Sequence, residues 1–305
     1  MGRSHQALEM QAMRKKQDII SQIRDLGLAK GDTVFVSSDL LRVGYFNRDQ
    51  VTTLRDWIEI FDELLGDEGT IVVPTYSPSF LRYFQKYDFV FTPESDSDSG
   101  GLARAYINHA EGAIRGRHPT NSCTSRGYHA ETIAASDGPE FPKYNPYAKV
   151  VELGGKNLML GTVDERNCPF TYHHVQELLG QTRGHPFSGL LETTYIDDSG
   201  QRKKYIMREL GGCTAGVHKS WGHHMAQNAV RFGRVGRSLS ALVDAKKSSE
   251  ILRKVMVETP SLMKCDDHSC VSCYGRFCYN GLGIVSFYPR QIPKLLKKAW
   301  WRAVG

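Results

Sequence analysis

His173 is the side chain whose neighbours in sequence best suit proton transfer. It stands in residues 150–180, VVELGGKNLMLGTVDERNCPFTYHHVQELLG, where the short apolar run LMLG follows a Gly154-Gly155 turn and reads as a buried strand. Asn167, Cys168, Pro169 and Thr171 then carry cap and turn chemistry, and HHVQELLG has the apolar spacing of a helix closed by Gly180. This spacing predicts His173 in a first helical turn. The partial positive charge of a helix start favours neutral imidazole over imidazolium, and a neutral imidazole can accept a proton. The predicted chemistry is therefore general-base catalysis. A histidine at a helix start also serves as a cap or surface group, and His174, turned about 100° away, reads as structural or solvated. Cys168 reads as a small buried residue, with a Cys168/His173 nucleophile pair as the alternative.

Three other groups could carry chemistry. Ser37, Ser38 and Asp39 follow the strand pattern TVFVSS, at the carboxyl end where parallel α/β sheets place ligand groups; they also suit the cap of a following helix. The loop RGRHPTNSCTSRG crowds Arg115, Arg117, Arg126, His118, Asn121 and Ser122 together, so arginine forks and hydroxyls there could hold a phosphate, or the loop is simply a basic surface. Cys265, Cys270, Cys273 and Cys278 form C-x4-C-x2-C-x4-C, four thiols compatible with a Zn or iron–sulfur centre or with reduced structural cysteines.

The elements that must position these groups alternate. Residues 9–26 have helical spacing and lead through Gly27 and Gly31 into TVFVSS. DQVTTLRDWIEIFDELLG is an amphipathic helix and GTIVVPTYS a second strand, so strand, helix, strand implies a crossover and a parallel or mixed sheet. Residues 80–100 are too irregular for an element and long enough for a lid or substrate loop. LARAYINHAEGAI reads as helix, and GLLETTYIDDSGQRKKYIMREL as a hairpin about Asp-Asp-Ser-Gly. Period two puts Tyr205, Met207 and Glu209 on one face. Facing inward, Glu209 would orient an imidazole; facing outward, it is a solvated acid. The segment 211–260 is polar and rich in histidine, with a final amphipathic helix SSEILRKVMVET and no metal-ligand spacing among His218, His223 and His224.

With 305 residues and 40% hydrophobic content, the chain buries a large core, arranged as one domain with an appendage. No run of eighteen apolar residues and no signal-peptide core occurs, which predicts a cytoplasmic protein. The net charge of +6 fits an anionic ligand better than a polycationic one. Seven cysteines, an odd number, argue against a disulfide framework. The ending PKLLKKAWWRAVG, basic with Trp300 and Trp301, suits peripheral contact with the inner face of a membrane, or docking on its own domain.

GDTVFVSSDLLRVG, EGTIVVPTYS, EGAIRGRHPTNS, NPYAKVVELGGKNLMLG and TYHHVQE occur in an order and at spacings that resemble the aminoglycoside 3-N-acetyltransferase family, over roughly residues 15 to 258. The resemblance implies an α/β/α three-layer sandwich of that family's type over residues 1–258, followed by a Cys-containing extension over 259–305. It implies direct acetyl transfer from acetyl-CoA to a sugar amine, without a covalent intermediate. By it, His173 is the catalytic histidine and Glu209 its partner carboxylate, while Ser38, Arg115, His118 and Ser122 contact CoA. Departures from the pattern are Ser37-Ser38-Asp39 in place of His-Ser-Ser, Ala105 in place of a glutamate, and Gln176 in place of an acid. Protonated amines need counter-charges, so these losses point to an amino sugar of surface-polysaccharide (lipopolysaccharide-type) synthesis as acceptor. The partner expected is this small-molecule amino-sugar acceptor, not nucleic acid. The alternatives are an aminoglycoside resistance enzyme and an inactive CoA- or glycan-binding relative.

Overall fold

A computed structural model describes residues 2–82, 88–183, 185, 187–291 and 293, apart from the side chains of residues 2–12, 14 and 278. The described strands are β1 Thr33–Ser38, β2 Thr70–Pro74, β3 Phe80–Leu81, β4 Val90–Phe91, β5 Ile114–Arg115, β6 Cys123–Gly127, β7 Lys156–Leu160, β8 Leu191–Ile196, β9 Arg202–Met207, β10 Val230–Val235 and β11 Ser238–Asp244. Seven of them form one sheet in the order β10-β11-β7-β1-β2-β6-β5. β1 runs parallel to β2 and to β7, and the strands outside this trio are added antiparallel, giving a mixed sheet.

Side chains alternate across a strand, and both faces of β1 are apolar. Val34 and Val36 turn to one side, with Ile20 and Ile23 of the helix Gly2–Leu26, Trp57 and Phe61 of Gln50–Leu65, and Leu102 and Tyr106 of Gly101–Asn108. Phe35 turns to the other, with Tyr147 and Val150 of the helix Asn145–Glu152, Phe170 and Ala245. Two core layers on one sheet make the expected α/β/α sandwich. The helices Thr171–Leu178 and Ala245–Glu258 complete the second layer, where Tyr172 and Val175 meet Leu252, Val255 and Met256.

The hairpin β8–β9 closes about Asp197, whose carboxylate accepts the backbone N–H groups of Ser199 and Gln201. It belongs to a second, four-stranded sheet with β3 and β4, so the irregular stretch 80–100 contributes two short strands. The hairpin β10–β11 in the polar segment 211–260 was not predicted. Glycines and arginines mask its alternation, and Gly236 at φ +56 makes the turn, with its missing Cβ leaving room for the Val43 carbonyl. The chain beyond 258 builds no separate core as far as it is described: Met263 joins Tyr172 and Val175. The basic tryptophan-bearing end, residues 294–305, lies outside the described residues. Among those described, no helix is long and apolar enough to cross a membrane.

Candidate active site

The helix Thr171–Leu178 follows β7 through a tight turn held from below: Asn157 of β7 accepts the Phe170 N–H (3.0 Å) and donates to the Phe35 carbonyl (3.0 Å). The predicted side-chain cap is absent; the helix starts at Phe170 with no side-chain hydrogen bond. Helical spacing sets His173, Gln176 and Glu177 beside one another. The His173 ring stacks on Tyr144, with centroids 5.3 Å apart and planes at 16°. Gly211 lies so close to both rings that a Cβ there would be 2.6 Å from His173 Nδ1 and 2.7 Å from Tyr144 Oη.

The protonation of this imidazole follows from its neighbours. Nδ1 lies 2.9 Å from Gln176 Oε1, and the Gly212 N–H donates to the same oxygen over 2.8 Å. A backbone N–H only donates, so the acceptor is the amide oxygen, and the ring nitrogen facing it carries a proton. Nε2 is then the bare nitrogen, and no described residue hydrogen-bonds to it. Burial pushes His173 from its ordinary value down to about 4, against the Gln176 hydrogen bond and aided by the Lys143 and Arg276 charges. At neutral pH it is an uncharged base.

Glu209 belongs to this cluster without touching the imidazole in the expected way. The face Tyr205-Met207-Glu209 does turn inward, yet the Glu209 carboxylate accepts the Lys143 N–H (3.0 Å) and Arg183 Nε–H (3.0 Å). The partner on Nδ1 is the amide of Gln176, because residue 176 sits one turn away whereas Glu209 meets the chain at Lys143. Glu177 accepts the Tyr144 N–H (3.0 Å); burial, and then the neighbouring Glu209, raise it to about 7. Lys143 is buried and lowered to about 8 by desolvation, against the pull of Glu209 and Glu177. Two carboxyl groups and one buried ammonium thus adjoin the ring on which His173 stacks.

The loop read as a phosphate holder is occupied by its own protein. The five N–H groups of Arg115 reach Ser122 Oγ, the carbonyls of Pro93, Ser95 and Thr75, and Ser77 Oγ. Ser122 Oγ donates to the Thr75 carbonyl (2.8 Å) and is fully buried. His118 Nδ1 accepts the backbone N–H groups of Thr120 and Asn121, so its Nε2–H donates to Tyr205 Oη (3.0 Å); burial lowers it to about 3. Arg115, His118 and Ser122 therefore brace the end of β2 and the small sheet, with their side-chain donors taken up inside the protein.

Ser38 differs. It lines a cavity of about 830 Å³ at the carboxyl ends of β1 and β7, with Arg42, Asn47, Ser99, Arg104 and Thr162 among the walls. Asn167, in the turn leading to His173, is also on the wall. A second cavity of about 670 Å³ is lined by Glu140, Tyr205, Arg208 and Glu209.

Of the four cysteines read together, Cys265, Cys270 and Cys273 do converge, and their fourth partner is Cys213, from the loop after β9: one sulfur from each lies within 4.8 Å of the others. The Cys278 side chain lies outside the described residues. Burial raises the Cys168 thiol, the opposite of what an activated nucleophile needs. Sequence reading missed Tyr144, Lys143 and Glu177; the spacing of Glu177, four residues after His173, was the one available sign.

Comparison with known proteins bears on this geometry. A family model described as aminoglycoside 3-N-acetyltransferase matches residues 35–257. Aminoglycoside N(3)-acetyltransferase VIII of Streptomyces fradiae is 25% identical over 162 residues, covering 47% of this chain and 54% of that protein. The SPbeta prophage-derived aminoglycoside N(3')-acetyltransferase-like protein YokD of Bacillus subtilis (strain 168) is 41% identical over 177 residues, covering 51% of this chain and 63% of its own length. The chain thus matches little more than half of these relatives. The solved structure of AAC-IIIb with CoASH has the same fold, with a TM-score of 0.61 at 22% identity over 79% of this chain and 95% of that one. With a family model matching residues 35–257, well over half of its length, the chain belongs to the aminoglycoside 3-N-acetyltransferase family.

Proposed function

We propose that this protein transfers an acetyl group from acetyl-CoA to the amine of an aminoglycoside or closely related amino sugar, with His173 as general base. The observation that carries the assignment of the base is the Gly212 N–H on Gln176 Oε1, which leaves His173 with a protonated Nδ1 and a bare Nε2. An amine must lose a proton as it attacks a thioester, and in this reading Nε2 takes it in a direct transfer; a positioned general base typically contributes about 10²–10⁴-fold. The relatives' names support an aminoglycoside better than the surface-polysaccharide precursor expected from the lost acids.

Glu177 and Glu209 supply the counter-charge that a protonated amino sugar needs before it reacts, which offsets part of the loss of acids at positions 105 and 176. The large cavity supports CoA binding: it has the size of a cofactor site, and Arg42 and Arg104 are cations on its wall. AAC-IIIb, a protein of the same fold, holds CoASH. In this reading Ser38 is retained as a CoA contact, whereas Arg115, His118 and Ser122 support the fold.

The test is release of free CoA from acetyl-CoA with a panel of aminoglycosides and simpler amino sugars, for the wild type and His173→Asn. The expected result is acceptor-dependent release, falling about 10²–10⁴-fold in the variant while acetyl-CoA binding persists. Equal turnover by both proteins would remove His173 as base. Binding of CoA with no turnover of any acceptor would favour an inactive binding protein.

A further inference from the structure

We propose that Cys213, Cys265, Cys270 and Cys273 hold a single Zn²⁺, which fastens the segment 264–280 onto the catalytic half of the molecule. One sulfur from each cysteine lies within 4.8 Å of the other three. A tetrahedral zinc with Zn–S bonds of about 2.3 Å places its sulfurs about 3.8 Å apart, so the quartet contracts onto the ion with small side-chain adjustments. Every pair lies within 4.8 Å, which selects one metal ion over a multi-iron cluster, whose cysteines are divided among separate irons.

The surroundings fit a closed structural site. Cys265 and Cys273 are buried, and the backbone N–H of Cys265 points at Cys273 Sγ over 3.4 Å, a donor that stabilises thiolate sulfur. Cys270 caps the short helix Val271–Tyr274, so the C-x2-C step wraps one turn about the proposed ion. Cys213 lies 52 residues before Cys265 and comes from the loop that carries Gly211 and Gly212. Zinc displaces the thiol protons and holds four negative sulfurs that would otherwise repel.

What the ion would hold in place is visible next to it. Tyr172 Oη donates to the Cys213 carbonyl (3.1 Å) and lies 3.3 Å from Tyr279 Oη. Tyr279 Oη in turn accepts from Gln176 Nε2 over 2.6 Å. A metal joining residue 213 to 265–273 therefore keeps Tyr279 on the amide that orients His173. The metal assignment does not depend on the acetyl-transfer reading.

The experiment is elemental analysis of the full-length protein, purified without added metal, together with Cys213→Ser and Cys278→Ser. One zinc per chain is expected in the wild type and in Cys278→Ser, and none in Cys213→Ser. Should Cys213→Ser fail to fold, Co²⁺ exchange into the wild type gives a second reading: thiolate-to-cobalt charge-transfer bands and the strong visible bands of tetrahedral cobalt are expected. Absence of metal together with absence of these bands, one iron in place of zinc, loss of metal in Cys278→Ser but not in Cys213→Ser, or disulfides among the four cysteines under non-reducing mass spectrometry would each overturn the assignment.

Discussion

Replacing Gln176 by glutamate tests the proton inventory of the site. In the native protein the amide oxygen of Gln176 accepts two N–H groups, from His173 Nδ1 and Gly212, and its nitrogen donates to Tyr279 Oη. A glutamate keeps both acceptor contacts and adds a negative charge 2.9 Å from the ring nitrogen. An opposite charge that close shifts a pKa by about 1–3 units. His173 should then move from about 4 to between about 5 and 7. At about 1.4 kcal/mol per unit, the imidazolium gains about 1.4–4 kcal/mol.

Burial of the new carboxylate is offset locally. The Arg276 guanidinium, 1% exposed and with no hydrogen-bond partner for Nε, Nη1 or Nη2 among the described residues, borders the same spot: a Cβ on Gly212 would lie 2.3 Å from Gln176 Nε2 and 3.1 Å from Arg276 Nη1. Because imidazolium forms as the amine attacks, part of the gain lowers the barrier, and kcat/KM at pH 8 should rise on the order of tenfold. The assay pairs an NMR titration of His173 with the pH profile of kcat/KM. The sign is set by a base: activity is lost as pH falls through the His173 pKa, so its acid limb moves upward, from about 4 to about 5–7. A wild-type His173 protonated on Nε2, or a variant in which it still titrates near 4, would refute the reasoning.

Glu177 ionises as pH rises through about 7, so kcat/KM for a cationic acceptor should climb roughly tenfold between pH 6 and 8; Glu177→Gln should flatten that limb and raise KM more than it lowers kcat. Arg115→Met leaves the carbonyls of Pro93 and Ser95 without donors and should cost about 2 kcal/mol or more, seen as a lower midpoint in denaturant unfolding, while acetyl-CoA affinity of the folded protein is kept. Arg104→Ala, on the cavity wall, should do the reverse: acetyl-CoA binding measured by calorimetry weakens by about 1–3 kcal/mol with little change in stability.

The strand, helix, strand alternation of residues 33–74 was readable because both β1 and β2 are continuous apolar runs and the helix between them repeats at 3.6 residues. β10 and β11 were not, since Arg231, Gly233, Arg234 and Gly236 interrupt the period that marks a strand, and their pairing with β7 comes from distant sequence. His173 was legible through its position at a helix start. Its partner was not, because Gln176 appeared only as a departure from a family pattern until Gly212 arrived beside it from a separate loop.

The sequence by itself determined the strand, helix, strand alternation of residues 33–74, that His173 opens a helix, and that the chain resembles its family, because these depend on short-range periodicity and local spacing. Tertiary structure decided what each polar side chain is used for. Arg115 and His118 have the composition of a ligand site, yet the fold surrounds them with carbonyls, hydroxyls and N–H groups that take up their hydrogen bonds. Cys213, an isolated cysteine in the sequence, is brought within thiolate-cluster distance of three others by the path of the chain. A polar group is free for chemistry only where folding leaves it without an internal partner, and that balance is set by residues far away along the chain.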